Sequence, residues 1–404
     1  MFQRISFIDI LFLITFVFLL ALKPVSLITF YLLSIYGVYS ILHEKINPFQ
    51  NKPLRAFAWT SVLFFGIFAL SVVLSSSPYC HKEHLGRLIP FLVAPFVLTA
   101  IRKTNISFHH FLLAIAGGVV TAVSIAGAEL LLLDSHRASG MYNPNTFSDI
   151  LAVMGILLLA GTLKYQNKYR LIFWMLSLLA FVGIIIAGSR GAMLTFISAN
   201  FILAVVVFLF DKENRRFIAQ SVIAVTILFT FVIFANSTIE QRFAHIDTEI
   251  AQWQQKQNKT SSVIDRIEMY RSGLIAFSKR PIWGYGYHAA AQEAAKVCLI
   301  PAAKKRINRY WHLHNEYISA LVNAGIFGWL ALMMLFLVPL YFFGNAYKSN
   351  HNKDIAISGF AIILTYMISG ITHGEFGYGY ETLFFIMSIG FLLHLLSKET
   401  NVGE

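Results

Sequence analysis

The residues best suited to chemistry stand in one short run, Trp311-His312-Leu313-His314-Asn315-Glu316-Tyr317, where a long polar segment gives way to an apolar pattern. Histidine is the side chain that titrates nearest neutral pH, so it can accept a proton from a hydroxyl group. At the mouth of a helix, His314 reads as a general base, with Asn315 and Glu316 orienting it and His312 beside it. Two bland readings compete: a His-x-His metal pair, and a histidine that caps the helix. No nearby pair of acids or cysteines completes a metal site, and no Asp-x-Asp stands in an outer loop.

Cations are the second signal. Arg190, in Ala187-Gly188-Ser189-Arg190-Gly191-Ala192, separates two long apolar runs. An ionisable group held at a membrane boundary is costly and tends to have a partner or a function, snorkelling to head groups being the alternative. The flanking glycines let another group approach the backbone. Arg137 precedes Asn143-Pro144-Asn145, which reads as a turn followed by a helix start. The run Val263 to Phe277 has helical spacing and places Ile267, Tyr270, Leu274 and Phe277 on one face, with Arg266 beside that stripe and able to point along the membrane surface. Pro281 and the glycines of Trp283-Gly284-Tyr285-Gly286 end that helix. Arg137, Arg271, His312, Asn315 and Glu316 are supporting candidates around His314, Arg190 and Arg266.

The elements that must position these residues are membrane spans. Of 404 residues, 57% are hydrophobic and only 13% charged, against about 25% charged in soluble domains. A span needs about 20 mostly apolar residues. Twelve candidates fit: 6–22, 25–43, 56–75, 87–101, 109–133, 148–163, 171–188, 191–210, 217–235, 314–344, 354–371 and 380–397. The first is read as an uncleaved span, because no small-residue cleavage site follows it. The tenth is long enough to start above the membrane. Residues 1–404 thus form a single all-α polytopic transmembrane domain, with one large helical loop, 236–313, between spans 9 and 10.

With a cytoplasmic N-terminus, 15 Lys and Arg fall in cytoplasmic segments and five in short outer loops. The positive-inside rule then puts both termini inside and the 236–313 loop outside. That loop holds 12 Lys and Arg against six acids. Such an excess suits an anionic ligand at the outer leaflet, or an ordinary solvated surface. The net charge of +12 is spread between spans and does not point to nucleic acid. Cys80 and Cys298 both fall in outer loops, where a disulfide is chemically allowed, although two unpaired thiols is the simpler reading. A transporter would be expected to show internal repeats and midplane charges. No repeat is visible, and Glu129 is the best intramembrane acid.

Taken in order, these pieces resemble the O-antigen ligase / O-antigen polymerase superfamily of bacterial membrane glycosyltransferases. The resemblance rests on Arg137-x-x-Gly140 with Asn143-Pro144-Asn145, then Ser189-Arg190-Gly191, then Arg266 with Arg280-Pro281-x-x-Gly284-x-Gly286, and finally His314-Asn315-Glu316-Tyr317 followed by Gly325-Ile326-Phe327-Gly328. It implies a C-type glycosyltransferase-like fold and an active site on the periplasmic side of a Gram-negative inner membrane. By the same resemblance His314 is the catalytic histidine, and Arg190 and Arg266 bind the donor diphosphate. The implied donor is undecaprenyl-diphosphate-linked O-antigen and the implied acceptor a sugar hydroxyl of lipid A–core. No metal or other cofactor is expected. The compact ending favours a ligase, with a polymerase or another superfamily transferase as the alternative.

Overall fold

The structure is a computed structural model that describes residues 5–47, 50–80, 82–132, 137, 139–235, 245–349, 352–377 and 379–400. It is helical, with no strand among the described residues. The first half comprises α1 (Phe7–Val17), α2 (Lys23–Leu42), α3 (Lys52–Val73), α4 (Ile89–Ile101), α5 (Phe108–Leu132), α6 (Pro144–Gly161), α7 (Lys168–Ala187), α8 (Arg190–Phe210) and α9 (Arg215–Ala235). The polar loop carries α10 (Ile246–Gln254), α11 (Ser262–Lys279), α12 (Ala290–Ala295) and α13 (Pro301–Ile307). The bundle then closes with α14 (Glu316–Lys348), α15 (Lys353–Ser369) and α16 (Gly379–Thr400).

Every expected span contains a helix, and nine helices among the described residues are long and apolar enough to cross a membrane. The first expected span needs correction. Its helix, α1, has 11 residues, about 16 Å of rise, too short to cross. It is set by a capping box, in which Ser6 and Asp9 satisfy each other's backbone amides. Phe12, Phe16, Leu19 and Leu20 of this segment are wholly buried, so α1 and the turn after it pack as a core element. In α6 every residue from Thr146 to Gly161 is buried, and the helix packs against α5, α7, α8 and α15 at the centre of the bundle.

The loop builds a second, smaller core from Ile264, Met269, the alanines of α12 and Ile307, joined by Leu313 from the chain entering α14 and Val322 of α14 itself. This fastens the histidine run to the loop. A longer clamp lies below it. α14 has 33 residues, about 50 Å against a hydrocarbon thickness of about 30 Å. It is interrupted at Ala324 and Gly325, where Gly325 takes φ 64°. The freed backbone groups are used by the segment after α11: Tyr285 N–H donates to Val322 O (2.8 Å), Gly286 N–H to Asn323 O (2.8 Å), and Ile326 N–H to Pro281 O (2.8 Å). The motif Arg280-Pro281-x-x-Gly284-x-Gly286 therefore seals a helix kink. A Cβ at Gly325 would stand 2.1 Å from Ile282 O. Gly325→Ala is therefore expected to destabilise the protein by at least about 1–3 kcal/mol, from the positive φ alone, read as a lower melting temperature in detergent. An unchanged melt would mean that the kink is not held as described.

Candidate active site

The turn into α14 fixes the histidines from several sides. Leu313 is fully buried in the loop core, and its N–H donates to Ser319 Oγ at 3.1 Å. Gly273 of α11 makes room for it, since a Cβ there would meet Leu313 Cδ1 at 2.6 Å. His314 adopts φ 47°, a left-handed conformation that a non-glycine residue holds only when its surroundings over-determine it. Its N–H donates to His312 Nδ1 at 3.0 Å, so neutral His312 carries its proton on Nε2. The His314 carbonyl and the Ile371 carbonyl both receive the Tyr270 hydroxyl, at 3.0 and 2.7 Å. Asn315 is the N-cap of α14: its Oδ1 accepts from Ile318 N–H (2.9 Å) and its Nδ2 donates to Ile371 O (3.1 Å). Glu316 N–H donates to Gly370 O at 2.7 Å, and the Glu316 residue is buried. Asn315 and Glu316 thus position the histidine turn through the chain after α15.

Two cavities meet here. One, of about 370 Å³, is lined by His312, His314, His373, Asp265, Arg306 and Arg309, among others. The second, of about 330 Å³, is lined by Arg137, Ser189, Arg190 and Gly191. Asn145, Ser262 and Arg266 line both. Arg266 is thus the shared wall, and among the described residues no carboxylate pairs with it. Arg190 is the first residue of α8, set by a left-handed Gly188 (φ 66°) that ends α7. Its guanidinium donates to Ser262 Oγ, at the start of α11. Arg137 donates through Nε to Ala187 O (3.0 Å) and reaches Gly188 O and Asn145 Oδ1 at 3.3 and 3.4 Å, so it braces the turn that presents Arg190. Asn143 caps α6, accepting from the Asn145 and Thr146 amides at 3.0 Å each, as its sequence suggests.

Arg271 does not join them. It lies over Glu268 (Nε to Oε1, 3.0 Å) and donates to Val297 O (3.0 Å), lining neither cavity. Glu268 also accepts from Trp253 Nε1, Leu299 N–H and Cys298 Sγ, at 2.8, 2.9 and 3.1 Å. The expected apolar face of α11 is also corrected. The buried positions are Ile264, Asp265, Glu268, Met269, Ser272, Gly273 and Ala276, whereas Leu274 is 49% exposed. Small residues and paired acids face inward because α12 and α14 approach closely there. Cys80 and Cys298 are both free thiols.

Four donors to Glu268, Arg271 foremost, hold its carboxyl down at about 2 despite burial. A folded pKa below the unfolded value means stability that is present above about 4.3 and lost as pH falls toward 2. Glu268→Gln is therefore expected to melt earlier than wild type at pH 7, with the gap closing through that acid window. A gap independent of pH would contradict this. Asp265 is pushed the other way, up to about 6, chiefly by burial, although Arg306 lies 3.0 Å away.

Sequence reasoning missed the groups behind His314. His373, buried after α15, lies 3.5 Å from Glu381 Oε1 on α16 and 3.9 Å from Asp149 Oδ2 on α6. Asp149 Oδ1 also accepts from Ser369 Oγ (3.0 Å). The His373 ring is 6.2 Å from that of His314 and 5.8 Å from that of His312. An acid pair thus does stand near the histidines, contrary to the sequence expectation. Donor atoms of Asp149, His373 and Glu381 lie within 4.8 Å of one another, a spacing that could hold a metal ion. Two acids inside apolar helices were the available signal. Glu129, the acid singled out instead, accepts from Ser139 N–H at 2.7 Å. Arg306 and Arg309 were equally hidden, since a basic run on a short helix looks like solvated surface.

The imidazoles are held neutral. Burial, then the Arg266 charge, pushes His314 down to about 4. Burial, then His314 and Arg266, pushes His373 down to about 3. Burial and its imidazole neighbours set His312 well below its ordinary value.

These features define a class: a polytopic helical membrane protein whose extramembrane loop sets a neutral histidine beside an arginine-lined cavity. Residues 175–333, which hold Arg190, Arg266 and His314, match the family model described as O-antigen ligase. That match bears out the resemblance read from the motifs. The chain is 23% identical over 325 residues to an O-antigen ligase of Escherichia coli strain K12, covering 77% of this chain and 69% of that protein. It is 22% identical over 338 residues to an uncharacterized protein of Haemophilus influenzae, covering 82% and 83%.

Proposed function

We propose that this protein is an O-antigen ligase of the Gram-negative inner membrane. It transfers a glycan from undecaprenyl diphosphate to a sugar hydroxyl of lipid A–core on the periplasmic face, with both termini in the cytoplasm. The observation that carries the reading is the pair of cavities joined at Arg266, one arginine-lined and one histidine-lined. Arg190 and Arg266 hold the diphosphate, Arg137 supports them, and the lipid tail stays in the bilayer. The acceptor hydroxyl enters the histidine cavity. His314 takes its proton as the oxygen bonds to the anomeric carbon. The bond from that carbon to the diphosphate breaks, its electron pair leaves with undecaprenyl diphosphate, and the configuration inverts. Arginine suits the growing phosphate charge because its planar fork of donors is rigid and always protonated. Arg306 and Arg309 add cationic walls for phosphates of the acceptor.

The test is reconstitution of the purified chain with lipid-linked O-glycan and lipid A–core, with and without a chelator. The expected result is a glycan-extended lipid A–core formed at the same rate in both. A rate lost on chelation and restored by a divalent cation would assign Asp149, His373 and Glu381 to a metal instead. Elongated lipid-linked glycan with no transfer to lipid A–core would make the protein a polymerase.

A further inference from the structure

A larger cavity lies far from the histidines. It has a volume of about 750 Å³ and is formed by α8, α14 and α15. α8 and α14 begin at the candidate active site, with Arg190 and Glu316, and reach this cavity only in their last turns. α15 begins there. The cavity therefore sits at the opposite end of the bundle, in the opposite leaflet. Its inner walls are apolar, with Phe210, Phe343, Ile357 and Phe360 among them, and Gly344 opens one side. From Lys353 to Phe360 the wall runs two helical turns, about 10 Å.

Its mouth is cationic. Lys348 and Lys353 both line it, and among the described residues neither pairs with a carboxylate. Of the nearby acids, Asp354 pairs with Lys164 at 3.4 Å, and Asp211 accepts from Asn214 Nδ2 at 2.7 Å. Tyr347 also lines it, with Lys353 Nζ 5.6 Å from its ring centre. An occupant must present hydrocarbon inward and an anion at the rim.

We propose that this cleft is a binding site for one anionic phospholipid, with an acyl chain between α8, α14 and α15 and its phosphate between Lys348 and Lys353. The site is distinct from the donor site: it faces the other leaflet, and none of its described lining residues is a histidine or arginine.

Native mass spectrometry of the full chain in detergent, titrated with phosphatidylglycerol or phosphatidylcholine, tests this. Phosphatidylglycerol should be retained preferentially. A lysine near an anionic surface contributes about a fivefold factor, so the double variant Lys348→Gln/Lys353→Gln should weaken phosphatidylglycerol retention roughly 25-fold and the retention of zwitterionic phosphatidylcholine far less. Gly344→Leu should reduce retention of both lipids without disturbing the fold, because a Cβ there meets nothing within 4 Å. Both variants should melt like wild type in lipid-free detergent. Equal retention of the two lipids, or phosphatidylglycerol retention that neither variant alters, would overturn the proposal. So would a dimer that Gly344→Leu dissociates, which would make a second copy of the chain the occupant.

Discussion

His314→Ala is expected to lower transfer by about 100- to 10,000-fold, the range for losing a positioned general base, with little change in donor affinity. The residue faces the histidine cavity, and its turn is held independently by Leu313, Ser319, Asn315 and Tyr270. Removing the imidazole should therefore leave the fold intact. The pH profile gives a sharper signature. A base is active when neutral, so activity falls as pH drops through its pKa. In the free protein that pKa is pushed down to about 4, partly by Arg266. The acid limb of kcat/KM should lie there. Binding of the anionic diphosphate against Arg266 offsets that charge, so the acid limb of kcat should lie at higher pH. Coincident limbs, or a limb that survives in His314→Ala, would remove His314 from the role of base.

The second large effect is at Arg266, the one cation among the described residues that lines both cavities. Arg266→Ala should cost roughly 100- to 1,000-fold in kcat, as for loss of a preorganised donor to a developing negative charge. The loss should follow donor structure, with acceptor KM nearly unchanged. Arg266→Lys should recover only part, because lysine keeps the charge but not the planar fork. Removal of the guanidinium also removes one of the two causes that depress His314. The acid limb of kcat/KM should then move up toward 6.5. A defect confined to acceptor KM, with the limb unmoved, would contradict the placement of the diphosphate.

His314, Arg190 and Arg266 stand out in the sequence because each interrupts a pattern: a histidine at a helix mouth, an arginine between two apolar runs, an arginine opening a loop helix. Such breaks cost free energy, so they stand out in a linear reading. His373, Asp149 and Glu381 were not combined, because they come from α6, α16 and the turn between α15 and α16, and only the tertiary fold brings them together. Arg271 was misplaced for the converse reason. Helical spacing tells which residues share a face, but not which face the neighbours cover. The buried face of α11 is built from small residues and a multiply bonded glutamate, which a search for large apolar side chains passes over. The brevity of α1 was hidden by an apolar run that continues through a turn. Conversely, Gly325 and the Gly284-x-Gly286 motif were visible as punctuation, and only the structure joins them as two sides of one kink.

The most direct test of the central claim is the lipopolysaccharide profile of a strain lacking this gene, complemented with wild type or with His314→Ala expressed to the same level in the membrane. The expected profile is lipid A–core without O-antigen while lipid-linked polymer accumulates, with the ladder restored by wild type and not by His314→Ala. A ladder unchanged by the deletion, or fully restored by His314→Ala, would contradict it.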